Sequence, residues 1–229
     1  MAARKEPATG SSFAEKSHDF AGKTLHLLGA GFSFSFLYSS TGVPVKEAGV
    51  RERKVGFMTV KAFALGLYID DEGLQLLHRF KGNTASQLEK SEDFYKQLMT
   101  GNFSKQLEMI LQRDATGEDF GKNLQETLKP GVLAHGGSGA DLDKLNALFK
   151  GKTMKSGAGI FMATRTPGVL EVGLVEDASK LEPPAAPLGS VESPPVVAAL
   201  FENYLGPKAV SPSAKSAFAA GAASLLATV

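Results

Sequence analysis

The sequence predicts an α+β domain built around an antiparallel sheet. Strand patterns come first along the 229 residues, helical patterns follow, a hairpin pattern returns, and two more helices close the chain. Because strands and helices do not alternate one by one, a parallel sheet of βαβ units is not indicated. With 43% hydrophobic and 21% charged residues, the chain has enough apolar side chains for a substantial core.

The first third of the chain carries the main strand signals. Residues 24–28 form a short predicted strand ending at a Gly-Ala-Gly turn, and residues 32–36 alternate as a half-buried strand does. Two consecutive strands are predicted between Arg51 and Asp70. The second of them, residues 60–69, is apolar on both faces, which is typical of a strand covered on both sides.

The middle of the chain is predicted to be mostly helical. Short helices are expected near residues 74–78, 86–88 and 91–99, the last with Ser91 as its N-cap. Residues 103–112 are predicted as a strand because their apolar side chains alternate. Thr116 is expected to begin a helix that Pro130 and Gly131 end, and an amphipathic helix follows at 141–149.

The last third begins with the clearest hairpin of the chain. Residues 157–165 and 169–175 flank a Thr-Pro-Gly turn. Residues 176–195 hold five of the eleven prolines and are interpreted as a linker. Ser193 and Ser211 are each followed by proline, which favours helix starts at both places.

Composition excludes several kinds of chemistry. The chain has no cysteine, and its four histidines are scattered without a metal-binding spacing, so no cofactor or metal is expected. A net charge of +1 indicates no nucleic-acid partner. No apolar run approaches the ~18 residues of a transmembrane segment. Residues 1–23 contain acids among their basic residues and lack an apolar centre, so we expect a disordered extension rather than a targeting peptide.

Arg51 and Arg53 are predicted to share one face of a strand beside the apolar segment. A guanidinium in that position is either a solvated edge residue or the anchor of an anion in an apolar pocket. The segment alone leaves both interpretations open.

Six local strings occur in a familiar order. They are LLGAG (27–31), GVRERKVGFMTVKAFALGLYID (49–70), DFYKQLMTGNF (93–103), TGEDFGKNL (116–124), FMATRTPGVLEVGL (161–174) and YLGPKAVSPSAK (204–215). Together they resemble the chalcone isomerase-like family over residues 24–229. The resemblance implies an open-faced β-sandwich, in which a large antiparallel sheet is covered by a layer of helices, with a ligand cleft between the two. We expect a monomer.

In the enzymes of this family an arginine holds the anion of the substrate, while threonine and tyrosine hydroxyls order a water and polarise the ketone. Carried over position by position, the arginine falls on Arg51, the threonine on Phe63 and the tyrosine on Phe120. The cleft asparagine falls on Thr127, and the hydroxyl residue of the far rim lies near Ser193. Arg53 and Arg113 are second choices as anion partners and are interpreted as solvated.

Two positions that carry hydroxyls in the enzymes are therefore phenylalanines here. A phenyl ring neither donates a hydrogen bond nor holds a water, and losing one such donor costs about 3 kcal/mol of transition-state stabilisation. The resemblance thus implies a non-catalytic protein that binds a fatty acid or similar anionic amphiphile, although binding relatives usually carry a tyrosine at the position of Phe63. The alternatives are a weak intramolecular lyase acting on a phenolic chalcone and an auxiliary flavonoid-pathway protein of a plant or alga. We expect a cytoplasmic protein, with the chloroplast as the alternative.

Residues 32–48 depart from the family pattern. They stand between the strand ending at Gly31 and the one beginning near Arg51, which relatives join directly. The segment is either a genuine loop, which costs little entropy in a hairpin turn, or a gene-model artefact. Its aromatic side chains would be exposed if it projected into solvent.

Overall fold

The computed structural model describes residues 3–18, 24–33, 54–55, 58–59, 63–180 and 187–228. Several sequence predictions lie outside these ranges: the site residue Arg51 and its neighbour Arg53, most of the predicted strand at 32–36, and the insertion from residue 34 onward.

The described residues form thirteen strands and seven α-helices. The strands are β1 (Ala3–Lys5), β2 (Ser12–Ala14), β3 (Lys16–His18), β4 (Thr24–Ser33), β5 (Lys54–Val55), β6 (Met58–Thr59), β7 (Phe63–Ile69), β8 (Lys105–Leu111), β9 (Ala115–Thr116), β10 (Thr153–Met154), β11 (Gly159–Thr164), β12 (Val169–Val175) and β13 (Gly189–Glu192). The helices are α1 (Asp71–Leu77), α2 (Ala85–Lys90), α3 (Glu92–Thr100), α4 (Gly117–Ala134), α5 (Gly139–Ala147), α6 (Pro194–Leu205) and α7 (Pro212–Thr228), with single 3₁₀ turns at His78–Phe80 and Ala178–Lys180.

Seven of the strands make one large sheet in the order β13-β12-β11-β8-β7-β4-β3, and every neighbouring pair is antiparallel. The helices cover one face of this sheet. The predicted α+β class, with its open-faced sandwich of sheet and helix layer, is confirmed.

The central strands show why the sheet needs covering on both sides. Every residue of β7 and of β8 is buried. Odd-numbered side chains such as Leu65, Leu67 and Met109 join the large core cluster under the helices. Even-numbered ones such as Tyr68 and Ile110 join a smaller cluster on the second face.

The second face is covered by the N-terminal strands, so residues 3–18 differ from the disordered extension that was expected for residues 1–23. Strand β3 pairs with β4 at the edge of the large sheet, and β1 and β2 form a hairpin. Phe13 of that hairpin is fully buried. It lies over Gly66, where an added Cβ would stand 2.6 Å from the Phe13 ring. The segment was predicted to be disordered because most of its residues are polar, and the burial of Phe13 could not be inferred from that composition.

Three predicted boundaries were wrong. Strand β4 continues through the glycines to Ser33 instead of ending at Gly29. Helix α4 runs past Pro130 to Ala134, because fully buried Val132 holds its last turn against the core. The predicted linker contains β13, which pairs with β12.

The glycines of β4 and α7 let two backbones meet. A Cβ added to Gly29 would stand 2.4 Å from the carbonyl oxygen of Ala217. A Cβ added to Gly221 would stand 1.8 Å from the carbonyl oxygen of Leu28. Glycine within a strand often marks such a close approach. The alanine-rich helix α7 therefore packs directly on the strand instead of through long side chains.

Replacing Gly221 by alanine is expected to lower the free energy of unfolding by about 1–3 kcal/mol, because overpacking outweighs the gain of about 1 kcal/mol in helix propensity. Denaturant unfolding measures the change. Gly139→Ala is the matched control, since no atom lies within 4 Å of an added Cβ in α5. Equal stability of the two variants would show that α7 and β4 are not in backbone contact.

Candidate functional site

The site expected from the family positions begins at one end of the central strands. Phe63 is the first residue of β7 and pairs with Leu111, the last residue of β8. Both are buried and belong to the core cluster on the helix face. This end of the β7–β8 pair therefore presents a phenyl ring and a leucine to the helix layer.

Phe120 stands in the first turn of α4. Thr116 caps the helix by accepting a hydrogen bond from the Asp119 amide at 3.1 Å. Gly117 lets the helix start lie against the Phe149 carbonyl, 1.8 Å from where a Cβ would be. The Phe120 ring then meets the Phe149 ring edge to face, with centroids 4.8 Å apart. The position of the family tyrosine is thus part of an aromatic pair in the core.

The two remaining family positions lie on helices. Thr127 is half-buried on α4, seven residues after Phe120, so both residues share one face of the helix. Ser193 is buried and is the N-cap of α6, where its hydroxyl accepts a hydrogen bond from the Val196 amide. Hydrogen bonds from the backbone and hydroxyl of Ser138 hold the pKa of Asp141 below its usual range, and a hydrogen bond from Ser193 adds a smaller contribution in the same direction. The Ser193 hydroxyl is therefore engaged in the structure of the helix start.

Arg113 is the residue whose surroundings the sequence interpretation missed. Arg113 is half-buried, and its Nη1 atom is buried without a hydrogen-bond partner in the described part of the chain. The sequence indicated a solvated side chain. Leu111 before it and Ala115 after it both pack against the helix-side core. The alternation of Leu111, Arg113 and Ala115 is the signal that could have placed it.

A buried carboxyl lies on the opposite face of the sheet. The Tyr68 hydroxyl donates to Glu108 Oε2 at 2.9 Å, and Gln106 beside them has a buried Nε2 without a partner in the described ranges. Burial raises the pKa of Glu108 to about 7, and the hydrogen bond from Tyr68 opposes that rise. Burial, together with the Glu108 carboxyl, raises the pKa of Tyr68 well above its usual value. The sheet separates this pair from Phe63 and Phe120.

Lys105 is buried but is not available to a ligand. Its Nζ donates to the carbonyl oxygens of Leu98, Met99 and Gly101 at 2.8, 3.0 and 3.0 Å. Burial lowers its pKa to about 8, and Asp70 opposes the shift. Three carbonyl acceptors suit the three donors of an ammonium group, so Lys105 closes the C-terminal end of α3.

Within the described ranges, no three histidine, aspartate or glutamate side chains are grouped as metal ligands would be. In the same part of the chain, no helix combines the length and apolar character needed to cross a membrane.

An antiparallel sheet covered by one helix layer, with the family positions Phe63 and Phe120 buried in the core between them, defines a protein of the open-faced sandwich class. The chain belongs to the chalcone-flavanone isomerase family, whose model matches residues 14–225. The resemblance inferred from the sequence is confirmed.

Two curated relatives illustrate the likeness. Chalcone–flavanone isomerase 1 of Chrysanthemum morifolium is 30% identical over 184 residues, covering 78% of this chain and 77% of the relative. The chalcone–flavanone isomerase of Zea mays is 30% identical over 185 residues, covering 79% of each. Among solved structures, a fatty-acid binding protein of Arabidopsis thaliana superposes with a TM-score of 0.73 at 22% identity, covering 100% of both chains. At that identity the superposition shows a shared fold.

Proposed function

We propose that this protein binds a fatty acid or a similar anionic amphiphile and does not cyclise chalcones efficiently. The observation that carries the proposal is the burial of Phe63 and Phe120 in one apolar cluster, at the two positions where the family's enzymes carry hydroxyls. Neither ring can orient a water or donate to a developing oxyanion.

The same replacement favours an alkyl chain. Burial of each methylene contributes about 0.8 kcal/mol, and the phenyl rings extend the apolar wall where a phenolic substrate would meet hydroxyls. In this proposal Arg51 binds the carboxylate at one end, and Thr127 offers a hydroxyl from the side of α4. Ser193 lies at the rim of the proposed site but offers no hydroxyl to the ligand, because that hydroxyl caps α6. The likeness in fold to a fatty-acid binding protein supports the proposal.

Native mass spectrometry of the purified protein tests it. We expect one fatty acid per chain, identified after denaturing extraction, and at least a tenfold loss of affinity in Arg51→Ala, since a charge-assisted pair contributes about 1.5–3 kcal/mol. Arg79→Ala is the matched control, because Arg79 is exposed and lies over the Phe80 ring. A wild-type protein that is empty and takes up no added fatty acid would contradict the proposal. Full occupancy in Arg51→Ala would remove Arg51 as the anchor.

A weak intramolecular lyase is the second candidate. Its support is the identity of about 30% to chalcone–flavanone isomerases, higher than the 22% to the fatty-acid binding protein. The loss of chalcone absorbance in the presence of the protein distinguishes the two functions. A protein that neither binds fatty acid nor cyclises chalcone would instead fit the auxiliary role.

A further inference from the structure

We propose that Arg113 forms part of the binding site for the anionic head group of the ligand. The inference rests on the proposed function and adds a second cation to it. Its starting point is the buried Nη1 of Arg113, which has no hydrogen-bond partner in the part of the chain that the structure describes.

The side chains that flank Arg113 in the sequence alternate between the two sides of the sheet. Gln112 before it faces the second side, where its Nε2 donates to the Ser11 hydroxyl at 2.9 Å. Asp114 after it is exposed and binds the Lys155 ammonium at 2.8 Å. Leu111 and Ala115, one position further on each side, pack against the helix-side core. By this alternation Arg113, which is half-buried, falls on the side of Leu111, the strand partner of Phe63.

The three acidic residues within six positions after Arg113 are bound to other groups. Asp114 pairs with Lys155 and accepts a hydrogen bond from the Ser156 amide. Glu118 accepts one from the Gly151 amide at 2.8 Å. Asp119 accepts one from the Thr116 hydroxyl at 2.8 Å. No salt bridge joins Arg113 to a carboxylate among the described residues.

A guanidinium has five donors in a planar fork that matches the two oxygens of a carboxylate. A buried donor without a partner is unfavourable, so a ligand that supplies the acceptor gains affinity at that atom. Phe63 and Leu111 lie at the end of the strands that Arg113 follows, and Phe120 lies in the first turn of α4, which begins four residues after it. A long-chain carboxylate placed with its head at Arg113 would have its alkyl chain beside these apolar residues.

Calorimetric titration of the delipidated protein with palmitate and with 1-hexadecanol tests the inference, because the two ligands differ only at the head group. We expect Arg113→Gln to weaken palmitate binding at least tenfold and to leave hexadecanol binding within twofold. Arg113→Lys should lie between the wild type and Arg113→Gln, since a lysine keeps the charge but not the fork. Arg79→Gln, which removes an exposed guanidinium, should bind both ligands as the wild type does.

Each outcome decides the inference. Unchanged palmitate binding in Arg113→Gln overturns it, and so does an equal loss of palmitate and hexadecanol, which indicates a packing role. If Arg113→Gln does not fold, the palmitate-to-hexadecanol ratio of Arg113→Lys decides in the same way. A wild-type protein that binds neither ligand overturns the proposed function itself, and this inference with it.

Discussion

Wild-type protein is expected to lose about 3 kcal/mol of its free energy of unfolding between pH 4.5 and pH 8 through Glu108, and replacing Glu108 by glutamine should remove this loss. The carboxyl is buried beside Tyr68, and burial raises its pKa in the folded protein to about 7, against 4.5 for a glutamate exposed in the unfolded chain. Each pKa unit corresponds to 1.36 kcal/mol, so this difference is about 3 kcal/mol. Between these two pH values the folded state binds more protons than the unfolded chain. The contribution of Glu108 is therefore fully present below pH 4.5 and is lost as the pH rises through 7.

Denaturant unfolding of both proteins at several pH values measures this effect. The free energy of unfolding of Glu108→Gln minus that of the wild type should rise by about 3 kcal/mol between pH 4.5 and pH 8. Glu176→Gln, which removes an exposed carboxyl, should show no such rise. A difference that does not vary with pH would mean that Glu108 is ionised in the folded protein at pH 4.5.

Introducing hydroxyls at the two phenylalanine positions is expected to raise chalcone cyclisation. One positioned donor contributes about 3 kcal/mol to the transition state, or about two powers of ten in rate. Phe63→Thr and Phe120→Tyr should each increase kcat/KM for a chalcone, and the double variant should increase it further. The rate is followed by the loss of chalcone absorbance.

Control variants separate the hydroxyl from the change of shape. Phe63→Val has nearly the volume of Phe63→Thr without the oxygen, and Phe120→Leu removes the ring that contacts Phe149. Neither should gain activity. A double hydroxyl variant that binds chalcone but cyclises it no faster than the wild type would mean that another feature of the site limits the reaction.

Elements with strong local signals were predictable from the sequence. The hairpin of β11 and β12 follows from two apolar runs around a turn in which Gly168 has a φ of +80°. Helices α3 and α6 begin at Ser91 and Ser193 because each hydroxyl accepts a hydrogen bond from an amide three residues on. In these places the local chemistry and the tertiary structure agree.

Elements that depend on distant partners were not predictable. Strand β3 is stabilised by pairing with β4, and the hairpin of β1 and β2 by the burial of Phe13 over Gly66. Pro130 indicated a helix end, but the packing of Val132 outweighs its missing amide donor. These outcomes are set by contacts that a local pattern does not contain.

The candidate site likewise contains residues that the sequence pointed to and one whose environment it did not predict. The family positions Phe63 and Phe120 both lie in the large core cluster, and ligand binding there, with Arg51, Thr127 and Ser193, stays a prediction. Arg113 was harder to interpret because polar Gln112 and Asp114 stand on either side of it, and a run of polar residues is typical of a solvated turn. The cytoplasmic or chloroplast location also stays a prediction.

The backbone contact between β4 and α7 has a consequence for how the chain folds. Gly29 and Ala217 meet although about 190 residues separate them, and contacts between such distant residues form slowly. A ribosome adds about 5–20 residues per second, so β4 waits on the order of ten seconds or more for the helix that covers it. During that interval the face of β4 that α7 later covers is exposed, and chaperones and other nascent chains have access to it.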